Sequence, residues 1–329
     1  MPNKRAIIVG IDVYPNPINN LNSCVNDSLA FRSMLINTYG FAPSDITLIQ
    51  NQDATYAHVT AAMDVAFAGA HPGDELVYFE SSHGYRYAKN NVMTEVLCLY
   101  DKFLEDQDFV QHTQGLPSGV LTVVLDACHS GGMEKSFFVN GQTMVARAKV
   151  FTPPESERLL MAGLLQQVTD YKFFGRSATA NANAIANSLH PPDVVKSFVN
   201  IPAQKDLGDA QLELDGVLFA ACTSAQTALA GSPATNNLSA FTYGLTTQLD
   251  TTVSLRDLCS MVGTRLAEMN MQQTPVFWAP LAEQGLADKT FITGQPATGG
   301  PVQKEFDVGG RLPIEVNRAI AELQKVPVH

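Results

Sequence analysis

The stretch Val120-Leu-Thr-Val-Val-Leu125 constrains the fold more than any other, because it is apolar almost without interruption and runs into Asp126-Ala-Cys128-His-Ser-Gly-Gly132. A strand with one wet face alternates polar and apolar residues, whereas a continuous run is covered on both faces, as parallel strands are. Ala6-Ile-Ile-Val-Gly-Ile-Asp12 has the same character, and Ile46-Thr-Leu-Ile49 and Glu75-Leu-Val-Tyr-Phe79 read as further strands. Helical spacing separates them. Asn26 and Asp27 read as caps of a helix that runs to about Thr38 and stops at Gly40, and Thr55 to Phe67 reads as a second helix. A short strand or hairpin is expected near Val96–Leu99, and a weak helix over Phe103–His112. The alternation predicts an α/β fold with a mostly parallel central sheet and helices on both faces. In such sheets chemistry collects beyond the carboxyl ends of the strands.

From Gly132 to Asp215 the periodicity is weak and is broken by Pro153-Pro154, Pro191-Pro192 and Pro202, with one plausible helix over Glu155–Gln167. The sheet resumes at Val217-Leu-Phe-Ala-Ala-Cys222. Helical patterns follow at Ala240–Leu249 and Leu255–Met269, then a short strand near Val276-Phe277 and a terminal helix over Pro313–Lys325. Residues 1–131 thus read as the first part of one domain, 132–215 as an inter-segment linker or insertion, 216–295 as its second part and 296–329 as a tail.

A formal charge of −11 argues against a nucleic-acid partner, which would meet a basic face. No apolar run approaches the roughly 20 residues that span a bilayer, and Met1-Pro-Asn-Lys-Arg5 runs into a strand with no signal-peptide core, so a cytoplasmic protein is expected. Five cysteines without a CxxC pair suit a reducing compartment, with Cys98 and Cys222 as packing residues.

Cys128 is different. It follows the strongest strand and precedes a glycine turn, while His83-Gly84 follows the strand at Glu75–Phe79. A cysteine nucleophile needs a base or an electropositive setting to supply thiolate, and backbone N–H groups for the oxyanion. Adjacent parallel strands would carry His83 and Cys128 to one rim. His129, the immediate neighbour of Cys128, would point elsewhere.

Val77-Tyr-Phe-Glu-Ser-Ser-His-Gly84 with Val123-Val-Leu-Asp-Ala-Cys-His-Ser-Gly131 resembles the histidine and cysteine boxes of the caspase-like cysteine peptidases, above all metacaspases and their prokaryotic relatives. Ala6–Tyr14, Leu21–Asp27, Cys222–Ala228 and Phe241–Gly244 are similar to that group as well. The resemblance implies a caspase-like three-layer sandwich. It implies an enzyme in which Cys128 attacks a peptide carbonyl, His83 protonates the leaving amine, and the Gly84 and Cys128 N–H groups hold the oxyanion. A thioester follows, and no third catalytic residue is needed.

The same resemblance puts Cys24, Asp27, Ser81 and Asp126 around the substrate pocket. Paired carboxylates suit a guanidinium or ammonium, so cleavage after Arg, then Lys, is expected. Arg147, Lys149, Arg158, Lys172 and Arg176 in the linker are then candidate self-cleavage points. The family implies a monomer acting on protein substrates in a stress, defence or cell-death pathway. Many metacaspases take calcium on clustered aspartates. Here Tyr85–Met93 has no acidic residue, Lys135 stands near a position of a late aspartate, and the run Glu95, Asp101, Glu105, Asp106 and Asp108 reads as a solvated face, so no cofactor is required and calcium activation is not expected. Ser224 departs from the family's Cys-x-Asp pattern. A non-catalytic scaffold and a different thiol hydrolase are the competing readings. Intact His83 and Cys128 speak against the first, and the acidic pocket against the second.

Overall fold

A computed structural model describes residues 2–89, 92–127, 135–139, 142–153, 170–173, 176–179, 213–223 and 226–300. Strands β1 (Lys4–Gly10), β2 (Ile46–Gln50), β3 (Glu75–Ser81), β7 (Leu121–Asp126), β12 (Val217–Ala220) and β13 (Val276–Trp278) form the central sheet, in the order β13-β12-β7-β3-β1-β2. Every pairing in it is parallel except β12 with β13.

Because the strands do not alternate, each buries both of its faces. Ile8, Val77, Phe79, Val124 and Phe219 pack with helices α1 (Cys24–Tyr39), α4 (Ala240–Gln248) and α5 (Leu255–Glu268). Ile7, Val9, Tyr78 and Val123 face α2 (Tyr56–Phe67) and α3 (Asp106–Thr113). One stacked pair, Phe31 and Phe79 at 4.2 Å, ties α1 to β3, and an edge-to-face pair, Tyr78 and Phe109 at 4.8 Å, ties β3 to α3. Gly10 lets α1 lie close on β1: a Cβ there would stand 2.5 Å from the Cys24 carbonyl oxygen and 2.8 Å from Ser28 Cβ. The likeness to a three-layer α/β sandwich holds.

Several expected boundaries move. Helix α1 starts at Cys24, so Asn26 and Asp27 lie inside its first turn and do not cap it. The cap is the Asp12 carboxylate, which accepts from the N–H groups of Ser23 (2.9 Å), Cys24 (2.8 Å) and Val25 (3.1 Å). An acidic group at a helix N-terminus satisfies orphan donors and complements the dipole. Gly40 ends the helix in the left-handed region, φ 67°, as its composition suggests.

His83 is not in a loop. It opens β4 (His83–Lys89), which pairs antiparallel with β5 (Val92–Cys98), and β6 (Phe103–Glu105) adds to β5. The segment expected to be a weak helix from Phe103 thus begins as strand. The acidic run is not a solvated face either: Glu95 and Asp106 are buried, while Asp101 is exposed. Among the described residues no group of three or more His, Cys, Asp or Glu is arranged to hold a metal ion. Within 132–215, which reads as a linker or insertion, the described residues include the antiparallel pairs β8 (Lys135–Val139) with β9 (Gln142–Ala146), and β10 (Asp170–Phe173) with β11 (Arg176–Thr179). The helices expected at Glu155–Gln167 and Pro313–Lys325 lie outside the described residues.

Candidate active site

Strand register places the two boxes. Ser81, the last residue of β3, pairs with Asp126, the last of β7. His83 and Cys128 each follow two residues later. Cys128 lies outside the described residues, as do His129 and Ser224, so the site is built here from its surroundings.

His83 is fully buried and fixed on both sides. Its main-chain N–H donates to the Tyr14 hydroxyl (3.0 Å), which donates to the Cys98 carbonyl (3.1 Å). The Tyr14 ring lies 5.0 Å from the imidazole, and Phe151 closes another side at 6.2 Å. Nε2 sits 2.6 Å from the Asn19 carbonyl oxygen. A carbonyl can only accept, so Nε2 carries the hydrogen and Nδ1 carries the lone pair. Nδ1 makes no hydrogen bond of normal geometry to a described residue. Burial lowers the His83 pKa to about 4, with the nearby Arg147 and Lys149 charges adding to the fall and the Asn19 and Lys149 main chains opposing it. The ring is therefore neutral at pH 7. Before it, the chain is held by Glu80, which accepts from Ser82 Oγ (2.6 Å) and Tyr78 Oη (2.5 Å).

The structure brings Cys24, Asp27, Ser81 and Asp126 together, all buried. What lies between them is Lys149, itself fully buried. Its ammonium is 2.9 Å from Asp126 Oδ1 and 3.5 Å from Asp27 Oδ2, and it donates to Ser81 Oγ (2.8 Å) and to the Asp126 main-chain oxygen (2.7 Å). Ser81 Oγ in turn donates to Asp27 Oδ2 (2.7 Å). Helix α4 braces both acids from outside. The N–H and hydroxyl of Ser239 donate to Asp27 (2.8 and 2.5 Å), and those of Thr242 donate to Asp126 (3.1 and 2.7 Å).

Burial raises the Asp27 carboxyl to about 7, with Asp126 adding to the rise and Lys149, Ser239 and Ser81 opposing it. Burial alone would push the Lys149 ammonium down, but the Asp126 and Asp27 carboxylates outweigh it and hold the pKa above the ordinary value. The cation is thus paired, as a charge in such a place must be. Burial also raises the Cys24 thiol, so it stays neutral.

Lys149 arrives on an extended segment. Its N–H donates to the Ala228 carbonyl (3.0 Å), and the Ala230 N–H donates to the Arg147 carbonyl (2.8 Å), so Arg147–Lys149 pairs antiparallel with Ala228–Ala230. Beyond it Val150 forms a parallel bridge with Gly84, and Phe151 N–H reaches the Gly84 carbonyl at 3.5 Å. A parallel bridge of that phase turns the Gly84 N–H toward the Lys149 carbonyl. The Arg147 guanidinium donates to the Asn20 and Ile18 carbonyls. Of the other linker cations, Lys172 and Arg176 belong to the paired hairpin β10–β11, and Arg158 lies outside the described residues.

Sequence reasoning assigned no role to Tyr14, Asn19, Ser239 or Thr242. Tyr14 lies in a quoted string, and Thr242 in another, but nothing in either string says that a hydroxyl would meet a histidine or an aspartate.

The caspase domain model matches residues 3–284 of the chain. Metacaspase-7 of Arabidopsis thaliana is 32% identical over 143 residues, 40% of this chain and 35% of that protein. Metacaspase-9 of the same plant is 34% identical over 150 residues, 40% of this chain and 45% of that protein. The chain thus spans less than half the length of each of these two. Among solved structures, protein GSU0716 from Geobacter sulfurreducens superposes with a TM-score of 0.51 at 21% identity, over 85% of this chain and 95% of that one, a likeness of fold.

Proposed function

Because the chain belongs to the caspase domain family, we propose that it is a cysteine endopeptidase that cuts protein chains after arginine or lysine, and that it cuts itself after Lys149. The observation that carries the reading is Lys149 held between Asp126 and Asp27 on a segment paired as a bound peptide would be. Two carboxylates backed by a helix N-terminus make a site for one buried cation and would leave an aspartate or apolar side chain unpaired.

The chemistry then runs as a transfer from thiol to carbonyl and back. Cys128 gives its proton to His83 Nδ1, the nitrogen that the Asn19 contact leaves with a lone pair, and its sulfur bonds to the carbonyl carbon of the basic residue. The oxyanion is held by the N–H of Gly84, with that of Cys128 as second donor. Collapse breaks the C–N bond, and the proton on His83 goes to the leaving amine. Water, deprotonated by the same imidazole, displaces the thioester sulfur and regenerates the thiol. The pathway we assign is stress, defence or cell death, on the family resemblance alone.

A lysyl or arginyl peptide ketone should label wild type and spare Cys128→Ala, and intact masses after incubation should show cleavage between Lys149 and Val150 only when Cys128 is present. Identical masses for the two proteins would remove self-cleavage. Labelling by an aspartyl ketone instead would remove the basic specificity.

A further inference from the structure

Asn19 meets the site with three different groups. Its carbonyl oxygen holds His83 Nε2 at 2.6 Å. Its carboxamide, on a residue only 1% exposed, pairs in both directions with the main chain of Thr152: the Thr152 N–H donates to Oδ1 at 2.8 Å, and Nδ2 donates to the Thr152 carbonyl at 3.1 Å. Thr152 is the third residue after the Lys149–Val150 bond. Both contacts are to backbone, so they take any residue there that keeps its N–H, which excludes only proline.

The loop around Asn19 has anchors of its own, besides the Arg147 contacts to the Ile18 and Asn20 carbonyls. Pro17–Asn19 forms a short 3-10 turn capped by Asn16, whose Oδ1 accepts from Ile18 N–H (3.2 Å). Asn20 Oδ1 accepts from Tyr14 N–H (2.9 Å), and Leu21 N–H donates to the Asp12 carbonyl (2.8 Å). The same Tyr14 carries the hydroxyl that receives the His83 N–H. A carboxamide set on such a loop is preorganised, so little ordering entropy opposes its use.

We propose that Asn19 is a substrate-positioning residue: its carboxamide clamps the main chain of the third residue after the cleaved bond, in register with the histidine that its own carbonyl orients. The inference rests on residues 147–152 marking the path of a bound peptide. It assigns the leaving-side subsite to extended polypeptide with at least three residues beyond the cut, the third being any residue but proline. One residue then fixes both the imidazole and the segment whose amine that imidazole must protonate, which is how a leaving group is kept within reach of its acid.

The test uses the full chain carrying Lys149→Ala, which removes the chain's own lysine from the pocket, with and without Asn19→Ala. Three lysyl peptides that extend four residues past the cut are compared: unmodified, N-methylated at the third residue after the cut, and N-methylated at the fourth. The fourth position corresponds to Pro153, which has no N–H to give. Without the Asn19 change, methylation at the third residue should lower kcat/KM about tenfold, on the scale of a lost, well-aligned hydrogen bond, and methylation at the fourth should leave it unchanged. With Asn19→Ala, the unmodified and third-residue-methylated peptides should be cut at equal rates. Equal losses from third-residue methylation with and without the Asn19 change, or equal losses at the third and fourth positions, would overturn the clamp. The methylation arm needs no variant at Asn19, so it stands even if Asn19→Ala fails to fold. Absence of any cleavage after lysine or arginine would instead strike the underlying reading of the peptide path, and this inference with it.

Discussion

Lys149 and Asp126 meet twice, once through the carboxylate at 2.9 Å and once through the Asp126 main-chain oxygen at 2.7 Å, with neither side chain exposed to water. A single residue at the end of β7 therefore supplies both charge and a directed acceptor to one ammonium, and Asp27 and Ser81 complete the cage.

Emptying that cage should be costly and pH-dependent. In a Cys128→Ala background, Lys149→Met leaves two buried carboxylates without their cation, at a cost of roughly 3–5 kcal/mol. The Asp27 pKa is raised by burial to about 7 even with the ammonium present. Below that pH Asp27 holds a proton and the loss shrinks; above it Asp27 is charged and the loss grows. Urea unfolding at pH 5.5 and pH 8 measures both values, and a pH-independent difference would contradict the pairing.

Asp27→Asn should lower kcat/KM for lysyl and arginyl peptides at pH 8 by about tenfold to a hundredfold, the scale of a hydrogen bond to a charged group. The gap to wild type should narrow below pH 7, where Asp27 itself is protonated. Rate profiles of both proteins between pH 5.5 and 8.5 check this.

His83 has a folded-state pKa depressed by burial to about 4. Between there and the ordinary histidine value, the unfolded chain binds the proton and the folded chain does not, so this group favours folding above about pH 6.5 and loses that contribution as pH falls through 4. The span corresponds to roughly 3 kcal/mol. His83→Gln should flatten the stability profile over that window relative to wild type. The difference profile isolates it from Asp27 and Glu80, whose raised values act with the opposite sign.

Gly10→Ala should destabilise the fold by roughly 1–3 kcal/mol or more, since its methyl would lie 2.5 Å from the Cys24 carbonyl oxygen. Helix α1 carries Cys24 and Asp27, so the same change should also raise KM for basic peptides. A thermal scan and steady-state kinetics read the two effects separately.

Much of the fold was legible because continuous apolar strands admit few arrangements. Val120–Leu125, Glu75–Phe79 and Ala6–Gly10 all lie in the central sheet, each buried on both faces. Cys24, Asp27, Ser81 and Asp126 came from matched strings and do converge. The rest depended on long-range contacts that leave no local period. Asp12 caps α1 from the end of β1, and Glu95 and Asp106 are buried by tertiary packing despite their charge. Lys149 stood among five linker cations that looked alike in sequence. The pairing of the 147–149 segment with Ala228–Ala230, far along the chain, carries Lys149 to Asp126 and Asp27, while Arg147 on the same segment turns to the Asn20 and Ile18 carbonyls.

That pairing bears on timing. On the proposed function, the lysine in the cage is tethered to the pocket it fills, so it competes with any outside peptide at an effective concentration of roughly millimolar, whatever the amount of enzyme. Breaking the Lys149–Val150 bond would not by itself vacate the site, because the new carboxyl end stays leashed through its strand partners. Turnover of added peptide should therefore lag behind the appearance of cut chain, by an interval that dilution does not change.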